Sequence, residues 1–289
     1  MTNRNILVLG GTGYFGKHLV EMLLTNGDNV CIATRGISQI PTGCSFVKFD
    51  RKEGNNLLLD CYWDVVYDQS CYSSDCLNGL KNIIANCGQY ILTSTQSVYP
   101  SGNAINENSI DYDDINRYKN IVNDYGFEKL KAECIVRSLV KKYVFPRFPV
   151  VVGVNDPRKR VQDLVRRILK GYICLPVSNP ALQILDEFDA AKVLFEIPFK
   201  NITGSINIAS KDIISAEDLC RMIASRMGVD LKIGRSTYFE SSSFDLIKAD
   251  SKTLLLEKQE AAGFFIKKLR AVMESILIPT TGINRKCRL

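Results

Sequence analysis

Short apolar runs alternate with longer stretches of helical periodicity through the first half of the chain. Strands are predicted at Ile6–Leu9, Val30–Thr34, Phe46–Phe49, Val65–Asp68, Tyr90–Ser94 and Val144–Phe148, and helices near Gly16–Thr25, Leu77–Asn86 and Val122–Lys142. That alternation predicts an α/β fold, a Rossmann-type doubly wound parallel sheet with helices on both faces and its ligand at the carboxyl ends of the strands. Beyond Pro149 the regularity breaks. Helical patterns at Val161–Leu169, Phe188–Glu196, Ala216–Met227 and Phe265–Ile276 are separated by short strands such as Ser205–Ile208. The expected organisation is a dinucleotide-binding domain over residues 1–150 and a smaller substrate-binding lobe over 151–289. Some segments of the lobe should return to the core, and the cleft between the two parts should hold substrate.

The first strand runs directly into Gly10-Gly-Thr-Gly-Tyr-Phe-Gly16, and a helix follows. Glycines at 10, 13 and 16 let backbone approach a pyrophosphate and let helix pack close to strand, while free N–H groups and the helix dipole face the anion. Gly10, Thr12, Gly13, Tyr14, Phe15 and Gly16 are therefore candidate cofactor contacts.

Composition narrows the class without naming it. The 289 residues are 46% hydrophobic and 24% charged, ordinary for a globular protein. Apolar stretches such as Tyr143–Val152 are too short or interrupted to span a bilayer, and a strand within five residues of Met1 leaves no room for a secretory signal. No membrane association and a cytoplasmic location are the expectation. Ten cysteines include no C-x-x-C pair, and Cys31, Cys87 and Cys134 fall in apolar patterns where a thiol acts as a small hydrophobe. The single histidine, His18, argues against a His-based metal site or a Ser-His-Asp triad, and a surface or capping role is expected for it. The net charge of +6 is mild and scattered, so no nucleic acid partner is expected.

Cofactor choice is read at the end of the second strand. An acidic residue there bonds the ribose hydroxyls of NAD, but Val30-Cys-Ile-Ala-Thr-Arg-Gly36 supplies Thr34 and Arg35. An arginine can pair with a 2′-phosphate and stack on adenine, which points to NADP, with NAD still open. The alternative is that Arg35 is a solvated loop residue. Asp50, ending the third strand, is placed either to reach the adenine amino group or to shape a turn.

Tyr125 and Lys129 lie four residues apart, on one helical face. An ammonium beside a phenol stabilises phenolate, so the tyrosine can exchange a proton while hydride moves to or from a nicotinamide. Of the twelve tyrosines only Tyr125 has lysine at +4, and it opens the helix after the fifth strand. That strand delivers Ser94 and Thr95, whose hydroxyls can either orient a reacting oxygen or cap the loop.

Together the three glycines, Ser94-Thr-Gln-Ser-Val-Tyr99 and Tyr125-Gly-Phe-Glu-Lys-Leu-Lys-Ala-Glu133 resemble the extended short-chain dehydrogenase/reductases of the NAD-dependent epimerase/dehydratase type. Pro146–Pro157, Glu187-Phe-Asp189-Ala-Ala and Gly204–Ala209 are similar to later landmarks of that family, so the resemblance covers nearly the whole chain. It implies Thr95 as the catalytic hydroxyl, Tyr125 as acid/base, and Lys129 as the residue that binds the nicotinamide ribose and depresses the tyrosine's pKa. It also implies a nucleotide-sugar epimerase or reductase, with a homodimer through the Tyr125 helix. Two alternatives stay open: a non-catalytic member that binds NADP or RNA, and a reductase of a non-sugar carbonyl.

Departures from the family are equally legible. Tyr67-Asp68-Gln69-Ser70 stands where small residues usually face the cofactor, and Asp68 is read either as a ribose or substrate contact or as a turn cap. Gln96 and Ser97 follow Thr95, where sugar 4,6-dehydratases carry Asp-Glu. Arg158, Arg160 and Arg166 are candidates for a substrate phosphate.

Overall fold

Seven strands build the central sheet, every one parallel to its neighbours: β1 (Asn5–Leu9), β2 (Asn29–Thr34), β3 (Ser45–Lys48), β4 (Val65–Asp68), β5 (Gln89–Leu92), β6 (Tyr143–Phe148) and β7 (Gly204–Asn207). Their spatial order is β7-β6-β5-β4-β1-β2-β3, and the short strand Ser94–Thr95 adds to β6. The computed structural model describes residues 3–51, 61–237, 246–247 and 250–277. Strand order reverses between β1 and β4, so the loops leaving Leu9 and Asp68 part there and open a crevice at the carboxyl edge.

The continuous apolar strand runs follow from burial on both faces. Ile6 and Val8 of β1 face one way, joining Leu19, Val20 and Leu23 of α1 (Tyr14–Thr25). Ala190, Ala191 and Leu194 of α5 (Glu187–Glu196) complete that layer. Leu7 and Leu9 face the other way, against Ile83 and Ile84 of α2 (Lys81–Asn86) and Ala132 and Val136 of α3 (Asp124–Leu139). Each such leucine contributes roughly 1.5–3 kcal/mol by leaving water. Both β7 and α5 come from beyond residue 150 and complete the sheet and one of its covering layers.

The remaining C-terminal elements form a second core. Val161, Leu164, Val165 and Ile168 of α4 (Arg160–Ile168) meet Leu219, Cys220 and Ile223 of α6 (Ala216–Met227) and Leu269, Val272, Met273 and Ile276 of α8 (Leu269–Leu277). A short helix, α7 (Glu257–Ala261), precedes α8.

Three predicted boundaries move. The 77–86 helix is a 3-10 turn over Ser74–Leu80 followed by α2, with Ser74 donating to Glu128 and the Cys76 carbonyl accepting from Arg51. The predicted 122–142 helix begins at Asp124, where the Asn123 side chain accepts the Gly126 N–H at 2.7 Å. Phe265–Lys268 stays irregular, since the Lys267 N–H is donated to Asp189 and starts the helix later. The parallel pair Tyr172–Pro176 with Lys232–Ser236 was not read from the sequence, where these short segments lack a clear period.

Candidate active site

The glycine loop closes over the carboxyl end of β1 and feeds the first turn of α1. Gly10 has φ +91° and Tyr14 φ +51°, and a Cβ on Gly16 would collide with the Gln69 side chain. A Cβ on Gly13 would meet nothing within 4 Å. No side chain caps the helix and no acidic residue lies in its first turn, so the first N–H groups and the positive end of the dipole face open space. That cradle suits a diphosphate.

Gln69 and Ser70, in the positions that are usually small, lie directly across this loop. Ser70 Cβ would be 2.9 Å from a Cβ on Gly10. The Gln69 Nε2 is sealed from solvent without a hydrogen-bond partner, as are Tyr14 Oη, Thr93 Oγ1 and Gln96 Oε1. An unpaired buried polar atom costs about 1–3 kcal/mol. Gln69 lies directly against Gly16 of this loop, so a polar ligand held there fits as the missing partner of its amide.

Asp68 has more partners than a turn cap needs. Its Oδ1 accepts from Arg51 Nη2 and the Ser70 N–H (3.2 Å); its Oδ2 accepts from Arg51 Nη1 (3.1 Å) and the Tyr90 hydroxyl (2.8 Å). Both oxygens are filled from within the protein: the Ser70 N–H bond two residues on is the turn cap, and Arg51 and Tyr90 add partners that the sequence reading did not give. Arg51 is the residue the sequence reading missed. It also donates to Ser70 Oγ at 2.9 Å and to the Cys76 carbonyl at 3.1 Å, and so ties the end of β3 to the loop after β4.

Tyr125, Lys129 and Glu133 follow one another at four-residue spacing along α3. Tight packing fixes the start of that helix, because a Cβ on Gly126 would collide with the Ser97 carbonyl. Lys129 is 2% exposed, and its ammonium donates to the carbonyls of Cys71 (2.8 Å) and Thr93 (2.5 Å). Burial pulls its pKa below the ordinary lysine value, opposed by Cys71, Asp68 and Glu133. Two of its three donors are thus engaged, and one is left for a ligand hydroxyl.

Tyr125 is 43% exposed as a whole, with its hydroxyl the more enclosed end. That burial pushes its pKa up to about 12, with Tyr72 and Cys71 adding to the rise and Arg158 opposing it. The resemblance placed Lys129 in the role of depressing this pKa. Here the ammonium is drawn onto two carbonyls, and Arg158 is the cation that favours phenolate.

The two hydroxyls after β5 divide. Ser94 turns inward and donates to Glu133 Oε1. Thr95 stays at the crevice, where its Oγ1 accepts the Ser97 N–H at 3.1 Å and keeps its own proton to donate. Its capping and orienting roles are therefore compatible.

Residues 6–68 match the model of the NAD dependent epimerase/dehydratase family. The solved structures that resemble the chain include UDP-glucose 4-epimerase of Thermotoga maritima, with TM-score 0.74, 16% identity, and 96% of this chain and 99% of that one covered. UDP-N-acetylglucosamine 4-epimerase of Methanobrevibacter ruminantium M1 gives TM-score 0.73 at 15% identity, covering 98% and 99%. UDP-glucuronic acid 4-epimerase of Bacillus cereus, in complex with NAD, gives 0.70 at 17%, covering 94% and 96%. The chain has the fold of the NAD dependent epimerase/dehydratase family. No curated protein matches it in sequence.

Within this epimerase/dehydratase fold the remaining candidates separate by partner. Arg35 is exposed beyond β2, and Asp50 is half-buried beyond β3. Arg160 is held by Asp156 (2.8 and 2.9 Å) and Arg166 by Asp163 (2.6 Å), while Arg158 lies close enough to Tyr125 to favour its phenolate. His18 neither caps nor lies free on the surface. It packs edge-on against Phe188, with Nε2 3.9 Å from Glu187. Among the described residues no helix is long and apolar enough to cross a membrane, and no group of three or more His, Cys, Asp or Glu is placed to hold a metal ion.

Proposed function

We propose that the chain is an NAD(P)-dependent oxidoreductase acting on a nucleotide-linked sugar, with Tyr125 exchanging the proton that accompanies hydride transfer. One observation carries the reading. An uncapped helix N-terminus, the orphaned Gln69 amide, the free donor of Lys129, the Thr95 hydroxyl and the Tyr125 phenol converge at one crevice of an epimerase/dehydratase fold. The solved relatives with this fold include proteins bound to UDP-sugars and to NAD.

A bound nicotinamide supplies the hydride acceptor or donor; the chain's own residues do the rest. The first-turn N–H groups of α1 hold the diphosphate, and Lys129 positions a ribose hydroxyl. Thr95 donates to the reacting oxygen of the sugar, and Tyr125 takes its proton in oxidation or returns it in reduction. Arg158 offsets part of the desolvation that raises the tyrosine's pKa. Removing the arginine raises that pKa further. Oxidation needs phenolate and its rate climbs with pH below that pKa; reduction needs the phenol and its rate falls above it. Arg158→Ala is expected to move both limbs of the pH–rate profile to higher pH. An unmoved profile would remove Arg158 from this role.

Arg35 favours NADPH, which makes an exchangeable reductase cofactor the preferred form of the proposal. A charge-assisted hydrogen bond is worth about 1.5–3 kcal/mol, so Arg35→Ala is expected to weaken NADPH binding roughly ten- to hundredfold. NADH binding should change little. Fluorescence titration of both nucleotides checks this, and absorbance of the purified protein tests the wider reading. Tightly retained NAD would indicate an epimerase and overturn the NADPH arm; binding of neither nucleotide would overturn the oxidoreductase proposal itself.

A further inference from the structure

Two thiols stand beside this crevice without a part in the proposed chemistry. Cys71 follows β4 and Cys76 lies in the 3-10 turn after it, both free. The Cys71 sulfur is 3.3 Å from the Ser73 carbonyl and the Cys76 sulfur 3.5 Å from Ser73 Oγ, so one serine touches both. Ser73, bonded to both sulfurs, thus brackets the pair. Their backbone carbonyls hold the two buried cations of the site: Cys71 O accepts from Lys129 Nζ at 2.8 Å, and Cys76 O from Arg51 Nη1 at 3.1 Å.

We propose that Cys71 and Cys76 form a redox-sensitive dithiol whose closure to a disulfide displaces the carbonyls that seat Lys129 and Arg51. Accessibility assigns the roles. Cys76 is half-buried and within reach of an oxidant, whereas Cys71 is 2% exposed and screened from it, which leaves Cys71 as the second thiol to react. The Cys71 thiol, the Ser73 hydroxyl and the N–H groups of Tyr72 and Ser73 stabilise a Cys76 thiolate and hold its pKa well below the usual thiol range. Burial pushes the thiols of Cys31, Cys87 and Cys220 the other way, and Cys71 is raised well above the usual thiol range by Cys76 and by burial, so it attacks only once Cys76 carries the adduct. A thiolate beside a resolving thiol is the arrangement of a redox sensor.

With glutathione disulfide as oxidant the chemistry balances. The Cys76 thiolate attacks one sulfur, the oxidant's S–S bond breaks, and one glutathione thiolate leaves. Cys71 then gives up its proton and attacks the Cys76 sulfur, and the second glutathione thiolate leaves as the Cys71–Cys76 bond forms. The protein loses two electrons, glutathione disulfide gains them, and the two glutathiones carry away the thiol protons. A disulfide fixes its Cβ atoms about 3.8 Å apart, and the carbonyls that seat Lys129 and Arg51 belong to the two residues it would join. The loss of Lys129 and Arg51 contacts then lowers dinucleotide affinity, a consequence that rests on the proposed function; the disulfide itself does not.

The test treats the full chain with glutathione disulfide and then dithiothreitol, maps thiols by alkylation and mass spectrometry, and titrates NADPH and follows thermal unfolding at each stage. The expected result is a Cys71–Cys76 disulfide formed before any bond to Cys31, Cys87 or Cys220. NADPH affinity should fall at least tenfold and return with dithiothreitol, and the oxidant-dependent change should vanish in Cys76→Ser. Cys71→Ser should stop at glutathione on Cys76, which keeps the test open should one variant fold poorly. A stable adduct on Cys76 in the wild type with Cys71 unreacted, no reaction at either residue, or a disulfide that leaves NADPH affinity intact would overturn the proposal. If the reduced protein binds no dinucleotide but the disulfide forms and shifts the melting temperature reversibly, the dithiol stands and the functional reading fails.

Discussion

Tyr125→Phe is expected to lower turnover of a nucleotide sugar by about 10²–10⁴-fold, the range typical of losing a positioned general acid or base. That corresponds to roughly 3–5 kcal/mol of barrier. The substitution removes one oxygen and keeps the ring, so α3, its tight start at Gly126 and the Lys129 contacts with Cys71 and Thr93 all remain. NADPH affinity should therefore stay within about twofold while the chemical step collapses, the pattern of an interaction made chiefly in the transition state. Single-turnover rates beside a nucleotide titration separate the two. A rate within threefold of wild type would end the assignment of Tyr125, whatever the dinucleotide affinity.

The second large effect lies just behind the crevice. Arg147 of β6 is fully buried and forked onto Glu133, with Nη2–Oε2 at 2.7 Å and Nε–Oε1 at 3.2 Å. Its other donors reach the Tyr99 hydroxyl (2.7 Å), the Tyr112 hydroxyl (2.8 Å) and the Glu107 carbonyl (3.3 Å). Tyr99 passes its own proton to Asn207 at 2.7 Å, which joins β7 to the same network. Glu133→Ala strands a guanidinium in the core and deprives Ser94 and Tyr112 of an acceptor. Breaking a buried pair on one side costs about 3–5 kcal/mol, a large part of the ~5–15 kcal/mol that holds a typical domain folded. Urea unfolding should show that loss. The double substitution Glu133→Leu with Arg147→Met should recover much of it, because no charge is then left uncompensated. A single substitution costing under about 1 kcal/mol would show that water reaches the pair.

Glu133 was visible within the Tyr125 motif, but its role was not. The motif's spacing places it one turn beyond Lys129, and nothing local says that Arg147, fourteen residues on, completes it. Arg147 itself was the better signal: a lone arginine inside the apolar run Tyr143–Phe148 must bury its charge and therefore needs an acceptor. Asp68 and Lys129 show the same division. Asp68 ends β4 and Lys129 lies on α3, and each is held by partners, Arg51 and the carbonyls of Cys71 and Thr93, that sequence adjacency does not reveal.

What the chain determined by itself was whatever depends on local period and backbone chemistry. The apolar runs specified parallel strands buried on both faces, and the glycines at 10, 13 and 16 specified where a helix could start with its N–H groups exposed. The four-residue spacing put Tyr125 and Lys129 on one helical face. Only the tertiary structure decided where the polar side chains point. Arg51 crosses seventeen positions to fill Asp68, and Lys129 reaches back to carbonyls at 71 and 93 in place of the phenol. The reason is physical. A side chain's apolar burial is set by its own strand or helix. A buried charge is satisfied by whichever donors or acceptors the fold brings within about 3 Å, and those come from other strands.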